Sequence, residues 1–300
     1  MHYGSHTAIK GGGERRLQFL GEYMETLRYA NNSDSQVMDF YRPDAAGKVP
    51  VIVLVHGGAF LFGDQKMNLI RPIIDISLAN GFAVASVDYR KTKEAVFPAS
   101  LADIKASVRY LKSHADELEI YPEKITVWGE SAGGYLSLMT ALTPAVDTLN
   151  GDIKDNHSYD SCVSALVVFY PPVEFYTMRD EYRSWGDTEH GDGKFESMYL
   201  GIKNIYTDEA SCRKTHWLSY IGSLPEDFKL DAWIQVGDEN DIMVPYKQAE
   251  NFANRLASLQ GVNVHYEQIP GGHHEDPAFY TEENLNTVLS WLKSALGEEY

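Results

Sequence analysis

Two patterns alternate along this chain. Short apolar, β-branched runs recur at Val51-Ile-Val-Leu-Val55, Phe82-Ala-Val-Ala-Ser-Val87, Ile125-Thr-Val-Trp128, Ala165-Leu-Val-Val-Phe169 and Asp231-Ala-Trp-Ile-Gln-Val236. Runs of this kind read as strands buried on both faces. Between them lie stretches with helical spacing. One spans residues 66–80 and ends at Gly81; another opens at Pro98 and puts Leu101, Ile104, Val108 and Leu111 on one face. Further helices are predicted from Tyr135 to about Leu142, from Tyr246 to about Leu259 and from Glu282 to about Leu296. Val262 to Ile269 alternates as a last strand, and residues 27–41 read as two short strands around the turn Asn31-Asn32-Ser33-Asp34. Strands alternating with helices predict an α/β fold, with a mostly parallel central sheet and helices on both faces. A single domain over residues 1–300 is expected, with residues 1–26 as an N-terminal extension.

Residues 171–227 break the rhythm. They are polar, irregular and rich in aromatics: Phe175, Tyr176, Tyr182, Trp185, Phe195, Tyr199, Tyr206, Trp217 and Tyr220. A long insertion in a compact domain reads as a lid or binding segment. Aromatic faces with a polar edge suit a sugar or phenolic group. The competing expectation is that these rings pack on one another.

The segment Ile125-Thr-Val-Trp-Gly-Glu-Ser-Ala-Gly-Gly134 is the most informative. A buried strand runs into Gly129-x-Ser131-x-Gly133, and a helix follows. A nucleophilic serine needs this setting, because a tight strand-to-helix turn projects its hydroxyl above the sheet, and the neighbouring positions must be small. The helix N-terminus brings the Ala132 N–H toward a developing oxyanion. His56-Gly57-Gly58-Ala59-Phe60 follows the first buried strand, and its glycines let N–H groups turn into a cavity. Gly57 and Gly58 are the candidate oxyanion donors with Ala132, and Ala59 is a further contributor. His56 is read as shaping the loop.

An acid and a base should follow in chain order. Gly237-Asp-Glu-Asn-Asp241 succeeds the strand ending at Val236. Asp241, just before Ile-Met-Val-Pro245, is the first candidate, and Asp238 the second. Pro270-Gly-Gly-His273-His274-Glu275 supplies two candidate bases, and spacing alone does not choose between them. The same cluster lacks the H-E-x-x-H helix of a zinc protease, so no metal and no other cofactor is expected.

Charge narrows the partners. The 300 residues carry 43 acidic against 26 Lys and Arg side chains, a net charge of −17. That field disfavours nucleic acid and anionic membranes. Cys162 and Cys212 are the only cysteines and lack a C-x-x-C spacing, so both are read as free thiols. No apolar leader is visible in residues 1–30, and no run of 18 apolar residues occurs, so a cytoplasmic location is expected. Gly11-Gly12-Gly13 is not a phosphate loop, since no G-K-[ST] follows. A homo-oligomer stays open.

Taken together, His56-Gly-Gly-Ala-Phe60, Asp88-Tyr-Arg90, Gly129-Glu-Ser-Ala-Gly-Gly134 and Asp241-Ile-Met-Val-Pro245 resemble the carboxylesterase branch of the α/β-hydrolases. The nearest likeness is to bacterial acetyl- and feruloyl-esterase-like (BD-FAE-type) proteins, and a more distant one is to hormone-sensitive lipase. It covers roughly residues 27–296. The resemblance implies a serine carboxylesterase acting on small-molecule, short-chain acyl esters, with acetyl groups on carbohydrates as the first expectation. The family's G-x-G-H-G-x-P loop, set against Gly271 to Pro277, puts the base on His274. His273 and Glu275 stand where glycines are common, and Ala59 stands where hormone-sensitive lipases carry a third glycine. An amide hydrolase on the same fold, a small peptidase or an arylformamidase, is the alternative. A non-catalytic binding protein would lack a member of the set Ser131, Asp241 and His274.

Overall fold

A computed structural model describes residues 24–297, so the expected N-terminal extension lies almost wholly outside the described residues, as does Gly11-Gly12-Gly13. Eight strands build one sheet: β1 (Met24–Arg28), β2 (Val37–Tyr41), β3 (Val49–Val55), β4 (Ala83–Val87), β5 (Ile120–Glu130), β6 (Ala165–Phe169), β7 (Leu230–Val236) and β8 (Val262–Gln268). They lie in the order β1-β2-β4-β3-β5-β6-β7-β8. β1 and β2 are antiparallel to their neighbours, and the strands from β4 across to β8 run parallel. This is the mostly parallel α/β sheet that the alternation of strands and helices predicted, and the α/β-hydrolase fold that the resemblance implied.

The helices are α1 (Arg71–Ala79), α2 (Ala99–Ser113), α3 (Ala132–Leu142), α4 (Met178–Ser184), α5 (Lys194–Leu200), α6 (Glu209–Arg213), α7 (Tyr246–Leu256) and α8 (Glu282–Ala295). Alternation along the strands divides the core into two layers. Val51, Val53 and Val55 of β3 point into the layer filled by Leu101, Ile104 and Val108 of α2, Leu136 of α3 and Phe252 of α7. Ile52 and Leu54 point the other way, onto Ile73 and Ile74 of α1 and Leu285, Val288 and Leu292 of α8. Every residue of β3 is buried, which is why its sequence shows no polar alternation.

Several boundaries differ from the sequence reading, three of them by most. The predicted helix over 66–80 begins only at Arg71, behind a single 3-10 turn at Asn68–Ile70. β5 starts at Ile120, because Ile120 pairs with Val49 of β3 and the polar stretch up to Lys124 forms the bulge before Ile125 pairs with Val51. The helix after β5 begins at Ala132, three residues earlier than its apolar spacing suggested.

The insertion contains the short helices α4 to α6 and two 3-10 segments, Ile205–Thr207 and Trp217–Ser223. Phe175, Tyr182, Tyr199 and Trp217 are each 1% exposed, so the expectation that these rings offer faces to a ligand is corrected: they are core. Phe60 and Tyr199 stack at 4.0 Å, Tyr135 and Phe175 lie 4.8 Å apart, and Trp217 meets Phe252 edge-on at 5.2 Å. Tyr176, Trp185, Phe195, Tyr206 and Tyr220 stay half-buried. Gln248 of α7 ties down the start of the insertion. It accepts the N–H groups of Val173 and Glu174 and donates to the Glu174 carbonyl. No helix among the described residues is long and apolar enough to cross a membrane.

Candidate active site

The site forms at the carboxyl ends of the parallel strands, where the loops leave the sheet. β5 delivers Ser131 onto a sharp turn, with φ 52° and ψ −125°, and α3 begins at the next residue. A serine in that backbone region is strained, and the surroundings must enforce it. The Ser131 N–H donates to the Phe169 carbonyl at 3.0 Å, and the Tyr135 N–H returns to the Ser131 carbonyl at 3.1 Å. The flanking glycines are steric requirements. A Cβ on Gly129 would sit 2.2 Å from the Gly133 carbonyl oxygen, and one on Gly133 would sit 2.1 Å from that of Val55.

Around this turn the structure brings together residues far apart in the chain. His274 Nε2 lies 2.9 Å from Ser131 Oγ, and its Nδ1 lies 3.0 Å from Asp241 Oδ2. Asp241 is 2% exposed, and its other oxygen accepts the N–H groups of Met243 and Val244, both at 2.9 Å. Both carboxylate oxygens are therefore engaged, one on the imidazole and one on the backbone, which fixes the group in rotation. Tyr182 reaches from the insertion to donate its hydroxyl to the Asp241 carbonyl at 3.2 Å.

The two competing candidates sit elsewhere. Asp238 accepts the Asn240 N–H at 3.0 Å and the Gly271 N–H at 2.5 Å, so it braces the acid loop against the histidine loop. His273 is exposed; its Nδ1 donates to the His274 carbonyl and its Nε2 faces Asp276 at 3.3 Å. Neither touches Ser131. Among the described residues no group of three or more His, Cys, Asp or Glu side chains is placed to hold a metal ion. Cys162 and Cys212 are free thiols, and burial pushes both up to about 11.

The glycine loop departs from the sequence reading at one position. Gly57, expected as an oxyanion donor, gives its N–H to Glu130 Oε1 at 2.6 Å. That group is spent inside the protein, and the assignment is corrected. Gly58 has φ 107°, and Ala59 and Phe60 follow at 52° and 63°. Three successive positive φ values turn the loop over. Among the described residues, neither the Gly58 nor the Ala59 N–H donates to a protein acceptor. His56 Nδ1 donates to the Gly57 carbonyl at 2.7 Å, and its ring stacks on Tyr89 at 4.5 Å. Tyr89 in turn donates to the His56 carbonyl at 2.9 Å. His56, with Asp88 and Tyr89 of the Asp88-Tyr-Arg90 motif, thus shapes the loop, and burial lowers the pKa of His56.

Sequence reasoning passed over Glu130, Tyr170 and Tyr182. Glu130 had a signal in plain view, since it precedes the serine within the elbow motif. Its depth did not. It has no exposed surface, and its carboxyl is pushed up to about 7 by burial, an effect opposed by the Gly57 N–H. Tyr170 places its ring edge-on to His274, with centroids 4.6 Å apart.

Comparison with known proteins agrees with this architecture. The BD-FAE family profile matches residues 38–256. The probable carboxylic ester hydrolase LipM of Mycobacterium tuberculosis is 25% identical, over 99% of this chain and 66% of its own length. The carboxylic ester hydrolase LipN of the same organism is 36% identical, over 85% of this chain and 66% of its own. The chain spans between 56% and 66% of the length of LipM, LipQ and LipC. Among solved structures, a truncated carbohydrate esterase from gut microbiota superposes with a TM-score of 0.79 at 24% identity, covering 92% of this chain and 97% of that one. An acetyl ester-xyloside bifunctional hydrolase from Caldicellulosiruptor lactoaceticus superposes with a TM-score of 0.70 at 20% identity, covering 93% and 98%. These superpositions speak to the fold, and the profile match over most of the chain speaks to descent. The chain belongs to the BD-FAE family of α/β-hydrolase-fold proteins.

Proposed function

We propose that this protein is a serine carboxylic ester hydrolase, with Ser131, His274 and Asp241 as its catalytic triad. The observation that carries this reading is the unbroken relay from Ser131 Oγ through both nitrogens of His274 to Asp241, at 2.9 and 3.0 Å. The Asp241 carboxylate can only accept, so the imidazole carries its proton on Nδ1 and leaves Nε2 free to take the serine proton.

In this mechanism Ser131 Oγ attacks the ester carbonyl while its proton passes to His274. The imidazolium is stabilised by Asp241. The negative oxygen of the tetrahedral intermediate is met by the N–H groups of Ala132, Gly58 and Ala59. His274 then protonates the departing alcohol, and an acyl group remains on Ser131. Water enters, His274 removes its proton, and a second tetrahedral collapse frees the acid. No step calls for a metal or an organic cofactor.

Short acyl groups are favoured by the packing beside the nucleophile. Phe60, Tyr135, Phe175 and Tyr199 fill the space along the first turn of α3 with one another's rings. A carbohydrate acetyl ester is the substrate class we favour, in line with the names of the carbohydrate-esterase and acetyl ester-xyloside hydrolase neighbours. The insertion over 171–227 acts in this reading as a fixed cap, since Phe175, Tyr182, Tyr199 and Trp217 anchor it in the core. A panel of p-nitrophenyl acetate, acetylated xylo-oligosaccharides, aminoacyl anilides and formyl-aryl amides tests the assignment. Turnover of the esters with little or none of the amides is expected. Faster turnover of the amides overturns it in favour of an amidase.

A further inference from the structure

Glu130 ends β5, directly before Ser131, and is wholly buried. A carboxyl at that depth is costly without partners. It has two: the Gly57 N–H at 2.6 Å and the Tyr170 hydroxyl at 3.2 Å. The approach to Gly57 is so close that a Cβ there would lie 2.7 Å from Oε2 and 2.9 Å from Oε1. The first glycine of His56-Gly57-Gly58 is thus demanded by the carboxyl, while the second is demanded by the turn.

Sheet register explains the meeting. Val55 of β3 is opposite Gly129 of β5, and Glu130 is opposite Phe169 of β6. The three chains leave the sheet side by side, so Gly57, Glu130 and Tyr170 arrive at one place. The far end of the glycine loop is also tied down, since the Phe60 carbonyl accepts both the N–H and the hydroxyl of Thr92, at 2.9 and 3.0 Å. Between these two anchors lie the Gly58 and Ala59 N–H groups. On the other side, the Tyr170 hydroxyl also bonds to the Tyr280 hydroxyl, and the Tyr170 ring rests against His274.

We propose that Glu130 is a positioning residue for ester hydrolysis: by holding the Gly57 N–H it sets the Gly58 and Ala59 N–H groups toward the oxyanion, and through Tyr170 it steadies His274. This rests on the serine-hydrolase reading above and adds to it the part that aims the donors. Oxyanion donors matter as charge develops in the transition state, so loosening them lowers kcat and leaves ground-state binding largely untouched. Ionised or neutral, the carboxyl keeps an oxygen that accepts from Gly57. The working feature is therefore an acceptor of the right length, and glutamine supplies one.

The test compares Glu130→Gln, which keeps the acceptor, with Glu130→Met, which keeps the volume and removes it. Steady-state kinetics use p-nitrophenyl acetate, and circular dichroism with a thermal melt establishes folding. Glu130→Met is expected to lose about 100-fold in kcat, the size seen when one oxyanion donor is lost, with KM within about threefold. Glu130→Gln is expected to recover at least about tenfold of that loss, as an acceptor-keeping replacement should. A trifluoromethyl ketone, which forms the tetrahedral anion on the serine, should lose affinity for Glu130→Met in parallel with kcat. If Glu130→Met does not fold, Gly57→Ala replaces it, since its Cβ pushes the carboxyl off the loop. A loss under about tenfold, a glutamine variant as impaired as the methionine one, or a loss carried in KM overturns the inference. Wild type that hydrolyses no ester and takes no label at Ser131 overturns the underlying reading instead.

Discussion

His274 faces Ser131 with one ring nitrogen and Asp241 with the other, across sequence separations of 143 and 33 residues. Neither contact is local, so each depends on loops held by other groups. Asp238 holds the histidine loop through Gly271, and Tyr182 holds the acid loop through the Asp241 carbonyl. Only one of the two adjacent histidines is thereby aimed at the serine. His274→Ala should lose several orders of magnitude in kcat toward p-nitrophenyl acetate, because triad members act as a unit. His273→Ala, on an exposed ring, should lose less than about tenfold. The reverse ranking of the two variants contradicts the placement of the base.

The packing beside Ser131 carries a prediction about substrate size. Phe60 stacks on Tyr199, and Tyr135, one turn beyond Ser131, packs on Phe175. In the proposed reading this fixed packing leaves room for short acyl groups only. Along a series of p-nitrophenyl esters, kcat/KM should be highest from acetyl to butyryl and fall for chains of about eight carbons or more. A rise toward decanoate, or activation at an oil–water interface, contradicts this.

A third prediction concerns stability and pH. Glu181 of α4 accepts the Thr177 hydroxyl with Oε1 at 3.1 Å, while Oε2 is buried without a hydrogen bond. Burial pushes its carboxyl up to about 8. The folded pKa lies above the unfolded one, so between them the folded state binds more protons than the unfolded chain. Stability contributed by this group is therefore present at low pH and lost as pH rises toward 8. Glu181→Gln stays neutral throughout. Its Tm should match wild type near pH 5 and exceed it by about 2 °C or more at pH 8. Taking the difference at each pH removes trends from carboxyls such as Asp88, which shift the opposite way. A Tm difference that does not change with pH contradicts the prediction.

The sequence made the sheet legible because its strands are continuous apolar runs between helices of clear period. β3 and β6 carry no ambiguity of this kind. The start of β5 was hidden, since Tyr121-Pro-Glu-Lys124 has no apolar pattern and bulges out between the pairs that Ile120 and Ile125 make with β3. The insertion was hidden for a related reason. Its helices are short, and Tyr182 and Tyr199 look like surface residues until tertiary contacts bury them. At the site, the elbow glycines and Ser131 were readable from local sterics. Which glycine N–H faces the cavity was not, because Glu130 decides it from a neighbouring strand. The choice between Asp238 and Asp241 likewise rests on where two loops meet.

The central claim is that Ser131 is the nucleophile, and covalent labelling tests it most directly. A fluorophosphonate probe reacts with a serine only where a base and an oxyanion site activate it. Wild type should be labelled in one peptide, with the adduct on Ser131 by mass spectrometry, and should lose activity in proportion to labelling. Ser131→Ala should fold, resist the probe and lose about 10⁶-fold in kcat. An adduct on another residue, or ester hydrolysis that survives in Ser131→Ala, would contradict the account.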